Sequence, residues 1–74
     1  ATSGEVLYRW TPEPLATAYE LWVDANGSTW IHTTTTATSQ VITGHSAGAY
    51  TWWVRGINDH GAGQWSKPVD FEVR

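Results

Sequence analysis

The chain has 74 residues, no cysteine and a formal net charge of −3, and it carries six Trp, three Tyr and one Phe. This length supports one small domain over residues 1–74, and because no disulfide can reinforce it, we expect its stability to come from buried aromatic side chains. The four Lys and Arg residues are scattered, which excludes a nucleic-acid-binding surface, and no apolar run approaches the roughly 20 residues that a membrane-spanning helix needs.

Six segments in chain order have the composition or the alternation of β-strands, and turn residues separate them at short intervals. They predict strands over residues 5–11, 18–25, 28–35, 38–43, 49–58 and 68–74. Pro12 and Pro14 end the first strand, because proline cannot continue a central ladder. Asn26-Gly27 supplies the two residues that tolerate positive φ in a tight hairpin turn. No segment has helical periodicity over a useful length, so the fold class is all-β.

The strand over residues 49–58 is the most informative segment because its alternation is the longest. Tyr50, Trp52 and Val54 fall on one face, while Trp53 and Arg55 fall on the other. The same alternation in the other strands selects their inward positions. Together these positions predict a core that includes Trp10, Tyr19, Leu21, Tyr50, Trp52, Val54 and Phe71.

The strand set resembles that of a bacterial fibronectin type III-like domain over about residues 6–73. The matching motifs are Trp10 before a Pro-containing turn, the sequence ATAYELWV at 16–23, the strand that begins at Tyr50, and Trp65-Ser66 before the last strand. The resemblance implies an immunoglobulin-like sandwich of six to seven short antiparallel strands in two sheets. It identifies the six predicted strands as B, C, C′, E, F and G of that family, and it implies an extracellular location.

The resemblance also assigns roles and exposes departures at the E–F corner. It makes Tyr50 a tyrosine-corner residue whose hydroxyl binds the backbone a few residues upstream. His45 stands where the family usually has an apolar plug, and Gln40 occupies a position that is commonly aromatic. Strand A is not visible, because only Ala1 to Glu5 precede strand B.

An absent strand A leaves one edge of strand B without a partner, and an open edge is a template for another strand. Three alternatives stay open. A neighbouring copy donates the strand, a preceding segment of a longer chain supplies it, or residues 1–5 fold back as a short substitute. Each alternative predicts a module that works beside copies of itself or beside other domains.

The outward Trp residues have two interpretations. Trp22 and Trp53 lie on strands expected to be neighbours, so they should share one solvent face. In the first interpretation, Arg55 and Trp65 interleave with them in a cation–π ladder similar to that of cytokine-receptor Trp-Ser motifs. In the second, Trp22, Trp53 and Trp30 form an aromatic binding face that stacks sugar rings or anchors a partner.

Titratable side chains do not gather into a catalytic or metal-binding pattern. His32, His45 and the Asp59-His60 pair have no spacing that would bring ligands together, and no His-Asp-Ser or paired-carboxylate set can be assembled. We therefore expect no catalytic residue, no metal and no cofactor, and a protein that is not an enzyme.

Two segments are candidates for glycosylation. Asn26 begins an Asn-x-Ser acceptor motif, although the hairpin turn needs Asn-Gly in any case. Thr33, Thr34, Thr35 and Thr36 suit O-glycosylation of an exposed strand, although Thr is also a common edge-strand residue.

These features predict a non-enzymatic extracellular structural or interaction module, a repeat or subunit of a surface or fibre protein. Its partners would be copies of itself or adjacent domains, with assembly by strand complementation as one route. The alternative is a carbohydrate-binding module whose exposed Trp residues contact glycans. A further alternative is an accessory domain of a secreted glycoside hydrolase.

Overall fold

The computed structural model describes residues 4–74 and confirms the all-β fold class. Its strands are β1 Val6–Arg9, β2 Ala18–Ala25, β3 Ser28–Thr35, β4 Ser39–Ile42, β5 Gly48–Asn58, β6 Gly61–Ala62 and β7 Val69–Val73. Five of them fall within the predicted segments, and β5 begins one residue before its segment. β6 is a two-residue addition in a glycine-rich loop. Within residues 4–74 there is no helix that could span a membrane.

The strands form two antiparallel sheets. In the smaller sheet β1 pairs with β4, and Tyr8 lies opposite Gln40. In the larger sheet the order is β3-β2-β5, and the far edge of β5 pairs with β7 near its start and with β6 at its end. The central pair β2–β5 places Trp22 opposite Trp53. This register brings the two outward Trp residues together, as their alternation predicts.

The β2–β3 hairpin turns through Asn26 and Gly27, whose φ angles are +51° and +84°. Positive φ at both central residues defines a type I′ turn, which fits the twist of antiparallel strands. The Asn26 side chain also joins the hairpin to β5, because the backbone N–H of Ala49 donates to Asn26 Oδ1 at 3.0 Å. Asn26 therefore has a structural role in the turn and a second one at the start of β5.

The core lies between the two sheets and is largely aromatic. Tyr8 from β1 is fully buried, and its ring packs edge-on against Trp52 at 5.3 Å and against Phe71 at 5.8 Å between centroids. The buried residues are Tyr8, Tyr19, Leu21, Val23, Tyr50, Trp52 and Val54. Trp10 and Phe71, which the sequence places in the core, are half-buried and pack against its rim.

His45 stands where the resemblance predicts an apolar plug, and it is only 5% exposed. Its Nδ1 lies 3.0 Å from the carbonyl of Gly4, and its Nε2 lies 2.6 Å from the Tyr8 hydroxyl. Tyr50 donates its hydroxyl to the Ser46 carbonyl at 2.7 Å, which is the hydrogen bond predicted for a tyrosine corner. The E–F corner therefore packs tightly even though its plug is polar.

Within residues 4–74, β1 has one strand partner, β4. The backbone of Gly4 bonds to the N–H of His45 at 3.0 Å, so the segment before β1 is tied to the corner after β4. The predicted fold-back of residues 1–5 falls largely on residues 1–3, which lie outside the described part of the chain. On the outside of the small sheet, Leu7 and Val41 lie opposite each other and are 52% and 50% exposed.

Candidate functional site

The side of the larger sheet that faces away from the core, called here the outer face, carries aromatic side chains in register across three strands. His32 of β3 pairs with Trp22 of β2, and Trp22 pairs with Trp53 of β5. The His32 and Trp22 rings lie 4.5 Å apart between centroids. Cross-strand neighbours on one face interact directly, so this row forms a continuous aromatic surface.

Trp65 comes to the outer face through its neighbour Ser66. Ser66 donates its N–H to the Val54 carbonyl at 2.8 Å, and its Oγ accepts from the Val54 N–H at 3.0 Å. Ser66 thus acts as a one-residue strand partner of β5 between β6 and β7. Because Ser66 is held there, the Trp65 side chain lies on the outer face, where it is 37% exposed. The Trp-Ser pair therefore serves to place this indole.

The predicted contact between Arg55 and Trp65 is present. The Arg55 guanidinium carbon lies 4.3 Å from the centre of the Trp65 ring. The edge of one indole meets the face of the other between Trp65 and Trp22, with centroids 6.2 Å apart and planes at 84°. A cation over an indole within about 6 Å is favourable, so Arg55 and Trp65 form one step of a cation–π ladder.

Glu20 closes this ladder into a ring of contacts. One carboxylate oxygen accepts from Arg55 Nε at 2.6 Å, and the other accepts from His32 Nε2. These hydrogen bonds, from His32 first and then from Arg55, lower the pKa of Glu20 below its ordinary value. The ring of contacts, called here the outer-face network, comprises Glu20, Arg55, Trp65, Trp22 and His32. It fixes His32 and Trp22 of the aromatic row in place.

A shallow groove of about 330 Å³ opens on the outer face. The groove, called here the tryptophan groove, is lined by Trp22, Asp24, Thr29, Trp53 and Trp65. Trp22 is held in place by its own Nε1–H, which donates to Asp24 Oδ1 at 2.8 Å. Three indoles, one carboxylate and one hydroxyl therefore converge on a single open site.

A polar row borders the groove on one side. Asp24 lies opposite Thr29 on β3 and opposite Thr51 on β5. Thr51 in turn lies opposite Asp70 on β7, and its hydroxyl donates to Asp70 Oδ1 at 2.8 Å. The row is made of carboxylates and hydroxyls and contains no basic residue. The groove thus has aromatic walls and an acidic border.

Trp30 is not part of this site, which corrects the expectation that it joins Trp22 and Trp53. The register of β2 and β3 shifts between Val23 and Asp24, and Trp30 is left without a partner in that bulge. An extra residue reverses the alternation, so Trp30 points toward the core side. There it lies 4.6 Å from the His45 ring and 5.6 Å from the Tyr50 ring.

The candidate glycosylation residues lie on and beside the edge strand β3. Asn26 is exposed, although its Oδ1 is engaged by the N–H of Ala49. Thr34 and Thr36 are exposed, while Thr33 and Thr35 are half-buried. Modification of any of these residues stays a prediction.

Several members of the site were not predicted from the sequence, although alternation could have revealed two of them. Glu20 and Asp24 flank Trp22 at two-residue spacing, so the same parity would have placed them on the outer face. Placing His32 on the outer face required the β2–β3 register, and placing Thr29 there required the bulge. Within residues 4–74, no group of three or more His, Asp and Glu side chains could hold a metal ion.

The chain matches no protein-family model, and no curated protein is significantly similar to it. The class of the protein therefore follows from the structure itself. It is an all-β domain of two packed antiparallel sheets, with an aromatic groove on the outside of the larger sheet.

Proposed function

We propose that this chain is a fibronectin type III-like interaction module of an extracellular surface or fibre protein, and that it is not an enzyme. The strand order supports the family, because β1–β4 and β3-β2-β5-β7 correspond to B–E and C′-C-F-G. The tyrosine corner at Tyr50 and the Trp-Ser pair before β7 support it as well. The function has to be argued from the surfaces, because this fold serves many functions.

The outer face is the observation that carries the proposal. A domain with a small core gains stability by burying aromatic side chains, yet this one displays Trp22, Trp53 and Trp65 around an open groove. Indoles that line an open groove and are held by neighbouring side chains are typical of binding surfaces, because Trp contributes strongly at interfaces. The outer-face network provides that support, so the face is suited to contact a partner without rearrangement.

The small sheet is the second surface on which neighbours can assemble. Within the described residues β1 pairs with β4 alone, and its other edge is suited to accept an extended strand. Leu7 and Val41 add an exposed apolar pair on the outside of the same sheet. Strand addition at β1 by a copy or by an adjacent domain would cover both features.

Sedimentation velocity over a range of protein concentrations tests the assembly part of this proposal. We expect concentration-dependent association that Leu7→Lys weakens, because a charge on the small sheet opposes close packing of a second chain. Leu15→Lys is the matched control, since Leu15 is 77% exposed and lies in the loop between β1 and β2. A monomer at every concentration, together with a parent protein that shows only dispersed globules by negative stain, would contradict the assembly.

A carbohydrate-binding module remains the second candidate, and the groove is the observation that favours it. Trp22 and Trp53 are adjacent, and the neighbouring hydroxyl and carboxylate groups of Thr29 and Asp24 can hydrogen-bond sugar hydroxyls. Tryptophan fluorescence titrated with a panel of neutral oligosaccharides tests it. Quenching that Trp53→Ala abolishes supports glycan binding, and an unchanged spectrum with every oligosaccharide rejects it.

A further inference from the structure

We propose that the tryptophan groove binds an organic cation, a quaternary or methylated ammonium group of the kind that choline carries. The inference deepens the proposed function, because it rests on the outer face being the binding surface and names the chemistry of what binds there. Three features of the groove lead to it: the arrangement of its walls, its charge, and a cation that one of its indoles already holds.

The walls form a corner rather than a flat platform. Trp22 and Trp65 stand at 84° to each other, and Trp53 lies beside Trp22 on the neighbouring strand. A flat sugar ring stacks best on one broad aromatic plane, whereas a roughly spherical methylammonium group makes contact with several ring faces at once. The displacement of Trp30 to the core side removes the third member of an extended platform.

The charge of the lining favours a cation. Asp24 is the one ionisable residue among those that line the groove, and its Oδ1 accepts the Trp22 indole N–H. That bond fixes the Trp22 indole and keeps a carboxylate beside it in the groove. Asp70 extends the negative border through Thr51. The Arg55 charge nearby is balanced by Glu20 at 2.6 Å, so it does not oppose a second cation.

One of these indoles already holds a cation of this chain. The Arg55 guanidinium lies over Trp65 at 4.3 Å, which shows that the Trp65 ring is placed to attract positive charge. Trp22 and Trp65 are in edge-to-face contact, and the His32 ring lies 4.5 Å from Trp22. These contacts hold two of the three aromatic walls in place, so a cation that enters the groove has little ordering of these two side chains to impose.

The test is a matched pair of ligands that differ only in charge. Choline and its neutral isostere 3,3-dimethylbutan-1-ol are titrated into the 74-residue protein, and tryptophan fluorescence and indole N–H chemical shifts are followed. A cation–π contribution of this kind predicts about 5- to 30-fold tighter binding of choline than of the neutral alcohol. Equal affinity for the two would overturn the inference, because the groove would then be merely apolar.

Two variants separate the walls from the charge. Trp53→Ala removes one wall and is expected to abolish choline binding. Asp24→Asn keeps the acceptor for Trp22 but loses the charge, and is expected to weaken choline binding at least about 3-fold while leaving the neutral alcohol unchanged. Leu15→Ala is the control for an unrelated exposed site, and thermal melting shows that each variant is folded. Choline binding that survives Trp53→Ala in a folded protein rejects the site.

The outcomes also distinguish this inference from the function it rests on. Binding of neutral oligosaccharides with no response to choline rejects the cation and supports the glycan alternative. Concentration-dependent association with no response to choline or to sugars rejects the cation and leaves the interaction module standing. Choline binding by a protein that stays monomeric, from a parent protein that shows only dispersed globules, supports the cation and removes the assembly proposal.

Discussion

The Tyr8 hydroxyl lies 2.6 Å from His45 Nε2, in the middle of an otherwise aromatic core. The other ring nitrogen of His45 faces the Gly4 carbonyl, which can only accept, so Nδ1 carries the proton. Nε2 is then the acceptor, and the Tyr8 hydroxyl donates to it. Burial raises the pKa of Tyr8, with a smaller contribution from Tyr50, so the hydroxyl keeps its proton. The His45 side chain thus provides a hydrogen-bond partner both for a hydroxyl of β1 and for a carbonyl of the segment before β1.

This relationship predicts strong coupling between the two side chains. His45→Leu introduces an apolar plug but leaves the Tyr8 hydroxyl without its partner, while the Gly4 carbonyl keeps only the backbone N–H at position 45. The substitution should cost about 1–3 kcal/mol. Adding Tyr8→Phe removes the orphaned hydroxyl, so the double variant should lose less stability than the two single variants combined. Urea unfolding of the four proteins measures this. Strict additivity would show that the hydrogen bond contributes nothing.

The core aromatic side chains differ in burial, so truncating them should lower the free energy of unfolding by different amounts. Trp52 is buried and contacts Tyr8, so Trp52→Ala should lower the free energy of unfolding by about 3–5 kcal/mol. Trp10 is half-buried at the rim, so Trp10→Ala should cost less. Thermal and urea melts of both variants, with the exposed Leu15→Ala as control, test the order. A larger loss for Trp10→Ala contradicts the placement of the core.

Glu20 should make stability fall in acid. Its folded pKa is lowered, so its contribution is present above the ordinary glutamate value of 4.5 and is lost as the pH falls through the folded pKa. Glu20→Gln should therefore be less stable than the native protein at neutral pH. Below the folded pKa the difference should vanish. Melting temperatures between about pH 2 and pH 7 give both curves. Parallel curves would mean that Glu20 is not the responsible carboxylate.

Ser66 should control the position of Trp65. Ser66→Ala deprives the Val54 N–H of its side-chain acceptor and should cost about 0.5–1.5 kcal/mol. Trp65 should then pack less closely on Arg55 and become more accessible to a fluorescence quencher. Ser46→Ala is the control, because the Tyr50 hydroxyl bonds to the Ser46 backbone carbonyl, which that substitution retains. Unchanged quenching in Ser66→Ala would mean that other contacts hold Trp65.

Much of the fold could be predicted from alternation. Two strands were predicted correctly because each has one buried face and a period of two. They are the strand with Tyr19, Leu21 and Val23 and the strand with Tyr50, Trp52 and Val54. The Asn26-Gly27 turn was predictable because few residues accept positive φ at both positions. The short strand β6 was not predictable, since two exposed residues in a glycine-rich loop carry no pattern.

The site was only partly predictable. The pairing of Trp22 with Trp53 followed from their shared outward parity on neighbouring strands. The error at Trp30 came from a bulge, because one unpaired residue reverses every side chain before it and strand sequence does not reveal such an insertion. The hydrogen bonds of His45 could not be anticipated either, since its two partners, Tyr8 and Gly4, lie more than 30 residues earlier in the chain.

The sequence by itself therefore determined which side of most strands is buried, because the burial of alternate residues depends on local periodicity alone. Only the tertiary structure decided which side chains meet across strands. Three contacts depend on register: the hydrogen bond of His32 with Glu20, the packing of Arg55 over Trp65, and the grouping of indoles around Asp24. Register arises from the whole set of strand pairings and side-chain contacts, which no single segment encodes.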